Sequence, residues 1–545
     1  MMQSHPATVA SPDGTEQRLD TSLATPVHTA QPAPFLRLIV FLGGLSSIGI
    51  ELTTSRLIAP FFGGSTFIWA NLIGVTLTFL ALGYWIGGHV ADRRPSPQVL
   101  YSVTAIGAVL AALIPFVSRP ILASSLSAFD DVNVGAFYSS LVGVLLLLAL
   151  PVTLLGFISP FAIRLRMADV RTAGNVAGNM YALSTLGSIA GSFLPVIVLI
   201  PLFGTARTFL ILSLALLIPS LLGLLVLRAI PTAAPTALLA LVVVIVSLAF
   251  DQRSIRPAER GVLVEERESE YNYIQVVKED GAYLLVLNEG HAIHSIYDPN
   301  ELLTQGPWDY FMVAPLFNEA ASPSSTKSAL LIGLAGGTVA RQLSAGYGAI
   351  PIDGVEIDPE IAEIGRDYFG LDLLPNLNMV VEDGRYFLRT TDKRYDLIGI
   401  DAYRQPYIPF QLTSREFFEE VADHLNPGGV AVVNAGRTET DFRLVDAIST
   451  TMRAVYDHVY VIDVERYANS IIVGTNAPSS VAQFAVSAAR FPPDSPVRQV
   501  AERSLETGNP RQVEPGGQVF TDDHAPVELV VDQIILDAAR EESGT

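Results

Sequence analysis

The chain has 545 residues with 34 Lys+Arg against 54 Asp+Glu and no cysteine, so at least two units are expected, and disulfides, thiolate nucleophiles and cysteine-ligated metals are excluded. The eight histidines show no metal-ligand spacing, and no metal site is expected. Charge is divided unevenly: residues 1–250 balance at +3 and residues 251–545 at −23, so the acidic part disfavours nucleic acid and tolerates a polycationic partner.

Residues 1–35 are rich in Ser, Thr, Ala, Pro and Gln without an apolar run, which predicts a disordered tail and no signal peptide. From Phe35 the composition changes, and apolar segments follow at roughly 38–58, 67–90, 99–117, 136–163, 177–203, 208–228 and 233–250. Most reach the ~20 residues that cross hydrocarbon, so 36–250 reads as a transmembrane domain of about seven helices with lipid as its partner. Small residues at Gly43, Gly44, Gly83, Gly87, Gly88, Ser184, Gly187, Gly191 and Ser192 predict closely packed helices. Glu51 and Arg56 are ionisable groups inside the first span, and each is expected to pair with another helix. Loop cations at Arg93, Arg94, Arg164, Arg166, Arg171 and Arg228 mark a cytoplasmic side by the positive-inside rule. With seven spans that side lies opposite the C-terminal half.

Residues 255–318 predict a small β-domain, because Tyr273 to Val277 and Tyr283 to Leu287 flank Glu279-Asp280-Gly281 as the two arms of a hairpin. Over 325–545 short apolar strands alternate with helical segments, the pattern of a doubly wound, mainly parallel sheet. The strand Ala329 to Ile332 runs into Gly333-Leu334-Ala335-Gly336-Gly337-Thr338 and then a helix, a glycine-rich turn at a strand's carboxyl end, where ligands bind in such sheets. A second strand ends at Glu356 about 20 residues on, the spacing of an acid that accepts ribose hydroxyls. A third leads to Glu382-Asp383-Gly384, and a fourth ends at Asp401. Each acid could instead cap the helix that follows. The turn lacks the GK[ST] ending of a phosphate loop, and an acidic rim suits a nucleoside without phosphates.

At these residues the sequence resembles the spermidine synthase family, across roughly 262 to 435. The resemblance rests on Glu268 to Ile274, Ile332 to Thr338, Val355 to Asp358, Glu382 to Arg385, Tyr395 to Asp401, Leu412 to Phe418 and Leu425 to Gly429. The membrane half, with Gly83-Tyr84-Trp85-Ile86-Gly87-Gly88, is similar to bacterial fusions of a transporter-like membrane unit to a synthase domain, as is Thr521 to Pro526. The resemblance implies a multi-span α-helical membrane domain followed by a methyltransferase-like α/β Rossmann domain behind a small β-domain. It implies Asp401 as proton acceptor, Glu356 as the ribose-binding acid, Asp383 and Gly384 on the adenine side, and Asn272 touching the nucleoside. Gly333, Gly336 and Gly337 join the cofactor-binding set, and Tyr403, Arg404 and Pro409 the substrate side. The implied reaction is aminopropyl transfer from decarboxylated S-adenosylmethionine, a cosubstrate and not a tightly bound cofactor, to putrescine or another small amine. An adenosyl cosubstrate argues for a cytoplasmic C-terminal half, against the loop arginines. The sequence is compatible with a homo-oligomer.

The chain departs from the family at three places: Gly336 stands where the glycine loop carries an Asp that holds the aminopropyl chain, Arg404 where a second Asp follows the acceptor, and Trp308 where a His precedes the first Rossmann strand. A cation at Arg404 repels a diamine, which keeps two other readings open. One is an S-adenosylmethionine-dependent methyltransferase or alkyl transferase; the other is a non-catalytic adenosyl sensor or transporter-like protein using Glu51 and Arg56. Asp522, Asp523 and His524 precede an apolar helical stretch and are read as its N-cap. His291 and His294, after the hairpin, fit either a place facing the cleft or a satisfied surface role.

Overall fold

The computed structural model describes residues 33–62, 66–130, 135–167, 169–249, 258–288, 292–403, 408–506, 508–514 and 516–543. Most of the expected N-terminal tail, together with Arg404 and His291, lies outside the described residues.

The first half is a helical bundle: α1 (Leu36–Phe62), α2 (Thr66–Arg93), α3 (Pro97–Asp130), α4 (Gly135–Gly156), α5 (Ile158–Arg166), α6 (Ala173–Leu194), α7 (Ile200–Val226) and α8 (Ile230–Ala249). Among the described residues five helical stretches are long and apolar enough to cross a membrane: Leu36–Phe62, Ile68–Arg93, Pro97–Leu122, Tyr138–Arg166 and Val170–Val226. The last joins α6 to α7 through a π turn at Pro195–Leu199 and kinks at Gly204, whose φ is +76°. Gly187 lies against the Phe41 carbonyl and Gly191 against the Leu45 backbone, so α6 runs parallel to α1 at backbone contact, which a side chain at either glycine would prevent. Leu212 abuts Gly49, whereas Gly223 abuts Tyr101, whose hydroxyl donates to the Pro34 carbonyl; α7 therefore runs antiparallel to α1. One end of the bundle holds Pro34, the Asp92–Arg164 ion pair (3.0 Å) and Arg228. The other holds Phe62, Gly143 and the Asn71 to Ser140 hydrogen bond.

The second half begins with an antiparallel meander of β1 (Val262–Glu268), β2 (Tyr273–Glu279), β3 (Ala282–Leu287) and β4 (Ile293–Tyr297). The hairpin turns at Asp280 (φ +49°) and Gly281 (φ +94°), the positive angles that a two-residue hairpin needs.

An α/β domain follows: β5 (Ala329–Ile332), α9 (Thr338–Tyr347), β6 (Ile352–Glu356), α10 (Pro359–Phe369), β7 (Leu377–Val381), α11 (Gly384–Thr390), β8 (Tyr395–Ile400), α12 (Arg415–Asp423), β9 (Leu425–Gly436) and α13 (Arg443–Arg453). Then come β10 (His458–Asp463), β11 (Asn469–Thr475), α14 (Val481–Ala488), α15 (Pro496–Glu506), β12 (Arg511–Gln512) and α16 (Val527–Ser543). The sheet order is β12-β10-β11-β9-β8-β5-β6-β7, with β5 to β9 parallel and β10 to β12 antiparallel at one edge. All four residues of β5 are buried, as a parallel strand covered on both faces requires. The order reverses between β5 and β8, which opens a crevice at their carboxyl ends.

Candidate active site

Asp401 follows β8 at this crevice, and its amide donates to the Ile332 carbonyl at 2.9 Å. Asn434 of β9 donates from Nδ2 to Asp401 Oδ1 at 2.9 Å, and the Trp308 indole, a donor only, also donates to the carboxylate. Asn434 is in turn oriented by Asn469 Nδ2, 2.9 Å from its Oδ1. Burial pushes the Asp401 pKa up to about 6, against the pull of these two donors. Tyr403 donates its hydroxyl to the Asn434 carbonyl at 3.0 Å, and burial followed by the nearby Asp401 charge pushes its pKa far above the usual phenol range. It stays protonated at neutral pH. Pro409 opens the short turn Phe410–Leu412 on the same rim.

The glycine turn is fitted against this acid. Gly333 has φ +87°, and a Cβ there would stand 2.5 Å from the Asp401 carbonyl oxygen, so only glycine lets β5 turn this close to β8. Gly337 precedes α9 with φ +80°. Gly336 donates its amide to Ser295 Oγ at 2.9 Å, and the space beyond its Cα is filled by the Phe369 ring and Ser295. Glu356, 7% exposed, accepts the Ala335 amide at 2.8 Å and the Asp358 amide at 3.2 Å. Burial nonetheless pushes its pKa up to about 7, over the lowering effect of those amides.

Helix capping takes part of the acidic rim. Asp383 accepts the Tyr386 amide at 2.9 Å and Asp358 the Glu360 amide at 3.0 Å, each opening a helix, with Gly384 as the first residue of α11. Asn272 reaches the crevice from the β-domain, where its Nδ2 donates to Asp358 at 2.8 Å and its Oδ1 accepts from Asn288 at 2.9 Å. Ser269 adds a 2.5 Å bond to Asp358. The β-domain is thereby fastened to the loop just past Glu356.

Two expectations need correction. Asp522 does not cap α16: it accepts from Arg385 at 2.7 and 2.8 Å and from Ser414 Oγ at 2.5 Å. Arg385, its side chain 7% exposed, also grips Glu420 at 2.8 and 2.9 Å, so a buried guanidinium draws the late segment onto α11 and α12. Its neighbours Asp383, Tyr386, Phe410 and Gln411 line a groove of about 370 Å³ beside the rim. Nor does Glu51 pair with another helix as expected. Glu51 has no hydrogen-bond or ion-pair partner among the described residues, whereas Arg56 lies within electrostatic reach of Glu268 in the β-domain. Glu268 accepts the Thr205 amide at 3.0 Å and the Thr205 hydroxyl at 2.8 Å where α7 resumes after its kink. Asn434 and Asn469 were missed altogether, although an amide inside the apolar run Ala431 to Ala435 was a signal.

With this geometry in view, residues 314–480 match the family model described as the spermine/spermidine synthase domain. The C-terminal half carries a spermine/spermidine synthase domain. A probable polyamine aminopropyl transferase of Bifidobacterium longum is 32% identical over 299 residues, covering 51% of this chain and 65% of that protein. A polyamine aminopropyltransferase of Vibrio vulnificus is 35% identical over 134 residues, 24% of this chain and 44% of its own length. The chain thus spans between two fifths and two thirds of these relatives. A polyamine aminopropyltransferase of Corynebacterium efficiens is 26% identical over 384 residues, 66% of this chain and 69% of that one, a match longer than the synthase domain alone. Among solved structures, a probable spermidine synthase from Corynebacterium glutamicum aligns with a TM-score of 0.37 at 23% identity, covering 48% of this chain and 97% of that one.

Proposed function

We propose that the chain is a membrane-bound aminopropyltransferase, transferring an aminopropyl group from decarboxylated S-adenosylmethionine to putrescine or another small amine. The observation that carries this reading is the Asp401 carboxylate, set at the switch point against the Gly333 turn and aimed by Asn434 and Trp308. An alkyl amine has an unperturbed pKa of about 10 and attacks only after losing a proton. Its nitrogen lone pair forms a bond to the carbon attached to the sulfonium sulfur, the carbon–sulfur bond breaks with its electrons going to sulfur, and neutral methylthioadenosine leaves. The proton goes to Asp401, whose pKa of about 6 keeps it ionised at neutral pH yet basic enough to accept. Glu356 is assigned the ribose hydroxyls, Asp383 and Gly384 the adenine side, and Tyr403, Pro409 and Arg404 the acceptor side, with Arg404 outside the described residues.

The five apolar stretches support lodging of the first half in the cell membrane, with lipid around it. Because adenosyl sulfonium compounds are cytoplasmic metabolites, we place the second half at the cytoplasmic face.

One observation favours a second reading. Phe369 and Ser295 occupy the space in which the family's aminopropyl-holding Asp would stand at Gly336, and a site without that acid also suits methyl or alkyl transfer from S-adenosylmethionine. The product separates the two. Purified full chain with decarboxylated S-adenosylmethionine and putrescine is expected to release methylthioadenosine, and Asp401→Asn to lower kcat by about 10²- to 10⁴-fold. Release of S-adenosylhomocysteine from S-adenosylmethionine, with no methylthioadenosine under any amine, would establish the second reading.

A further inference from the structure

Glu51 is the sixteenth of the 27 residues of α1 and is 9% exposed, close to the middle of a mainly apolar helix whose other ionisable groups are Arg37 and Arg56. No described residue hydrogen-bonds or ion-pairs with it. A carboxylate at such a position is costly and is retained where it meets a cavity or a ligand. Here it meets a cavity: α1, α2, α6 and the following π turn enclose a groove of about 570 Å³, lined by Glu51 together with Leu52, Trp69, Ile73, Ser192 and Phe193. That volume is within the range of small-molecule sites. Ile73 is 43% and Phe193 60% exposed, so the groove opens sideways between the helices.

The lining specifies the ligand class. It holds one carboxyl group, an indole, a hydroxyl and hydrocarbon. A carboxylate and a tryptophan ring are the two groups that best attract an ammonium, and the apolar walls suit a methylene chain. Phosphates and sugars would find too few donors. A metal ion is not served either, since no grouping of three His, Asp or Glu exists among the described residues.

We infer that the groove around Glu51 is a second ligand site, binding a protonated alkyl amine within the membrane half. The identity of the amine rests on the aminopropyl-transfer reading; the site itself does not. The test counts putrescine bound per full chain, using radiolabelled putrescine and protein in phosphatidylcholine nanodiscs. Wild type is expected to bind two, one at each half. Glu51→Gln is expected to lose one, with at least tenfold weaker residual binding at that site, while eluting and melting as wild type and releasing methylthioadenosine at the wild-type rate. Trp69→Ala weakens the same site through the ring instead of the charge. If both variants bind putrescine as wild type does, or if wild type shows no Glu51-dependent binding, the inference is wrong. If Glu51-dependent binding is found in a chain that releases no methylthioadenosine, the inference stands and the aminopropyl-transfer reading fails.

Discussion

In the proposed reaction Asp401 works only as an anion, and the rise of its pKa to about 6 places the acidic limb of activity inside an accessible range. The rate is expected to fall as pH drops through about 6. Asn434 and Trp308 both favour the charged form by donating to it, so removing a donor raises the pKa further. Asn434→Ala should therefore move the acidic limb of kcat/KM to higher pH; an unmoved limb would show that some other group sets it. Asp401 was legible because a carboxylate ending the fourth strand of an α/β pattern falls on the ligand rim. Its two donors were not, since Asn434 sits one strand over across the α12 crossover and Trp308 comes from a buried turn 93 residues upstream. Only tertiary register brings them to one carboxylate.

At the level of elements, the glycine turn decides what the crevice can hold. Glycine spacing, strand alternation and the Asp280-Gly281 hairpin are local signals, and the sheet follows from them. The antiparallel edge of β10 to β12 and the filling of the space at Gly336 are not local: the first depends on where β11 pairs, the second on Phe369 at the end of α10 and Ser295 on β4. Gly336→Asp therefore does not recreate an aminopropyl-holding acid. Its Cβ would lie 2.8 Å from the Phe369 ring and 2.9 Å from Ser295 Cβ, so the variant should bind methylthioadenosine at least tenfold more weakly, and Phe369→Ala should recover part of the loss. Undiminished calorimetric affinity in the single variant would refute this packing argument.

In the whole molecule the two halves touch where β1 meets α7. β1 carries Glu268 to the start of α7, while Arg267 beside it reaches Glu360 at 3.2 Å and Glu363 at 3.0 Å on α10. The synthase domain therefore sits at the Gly204 end of the bundle, and Arg164 and Arg228 at the other. A cytoplasmic synthase domain puts those arginines outside, contrary to the usual charge bias. The chain has no cysteine, so an introduced thiol is a clean marker. With an impermeant maleimide on intact cells, Val170→Cys, 84% exposed at the arginine-bearing end, should label and Ser324→Cys, on the exposed turn before β5, should not. The reverse pattern would place the synthase domain on the outer face.

In the proposed site the rim between β5 and β8 holds an adenosyl group with its ribose on Glu356. Calorimetric titration of the full chain with methylthioadenosine tests it most directly. The expected result is one ligand per chain, bound at least tenfold more weakly by Glu356→Gln and as tightly as wild type by Asp401→Asn. Binding that ignores Glu356, or no binding at all, would contradict it.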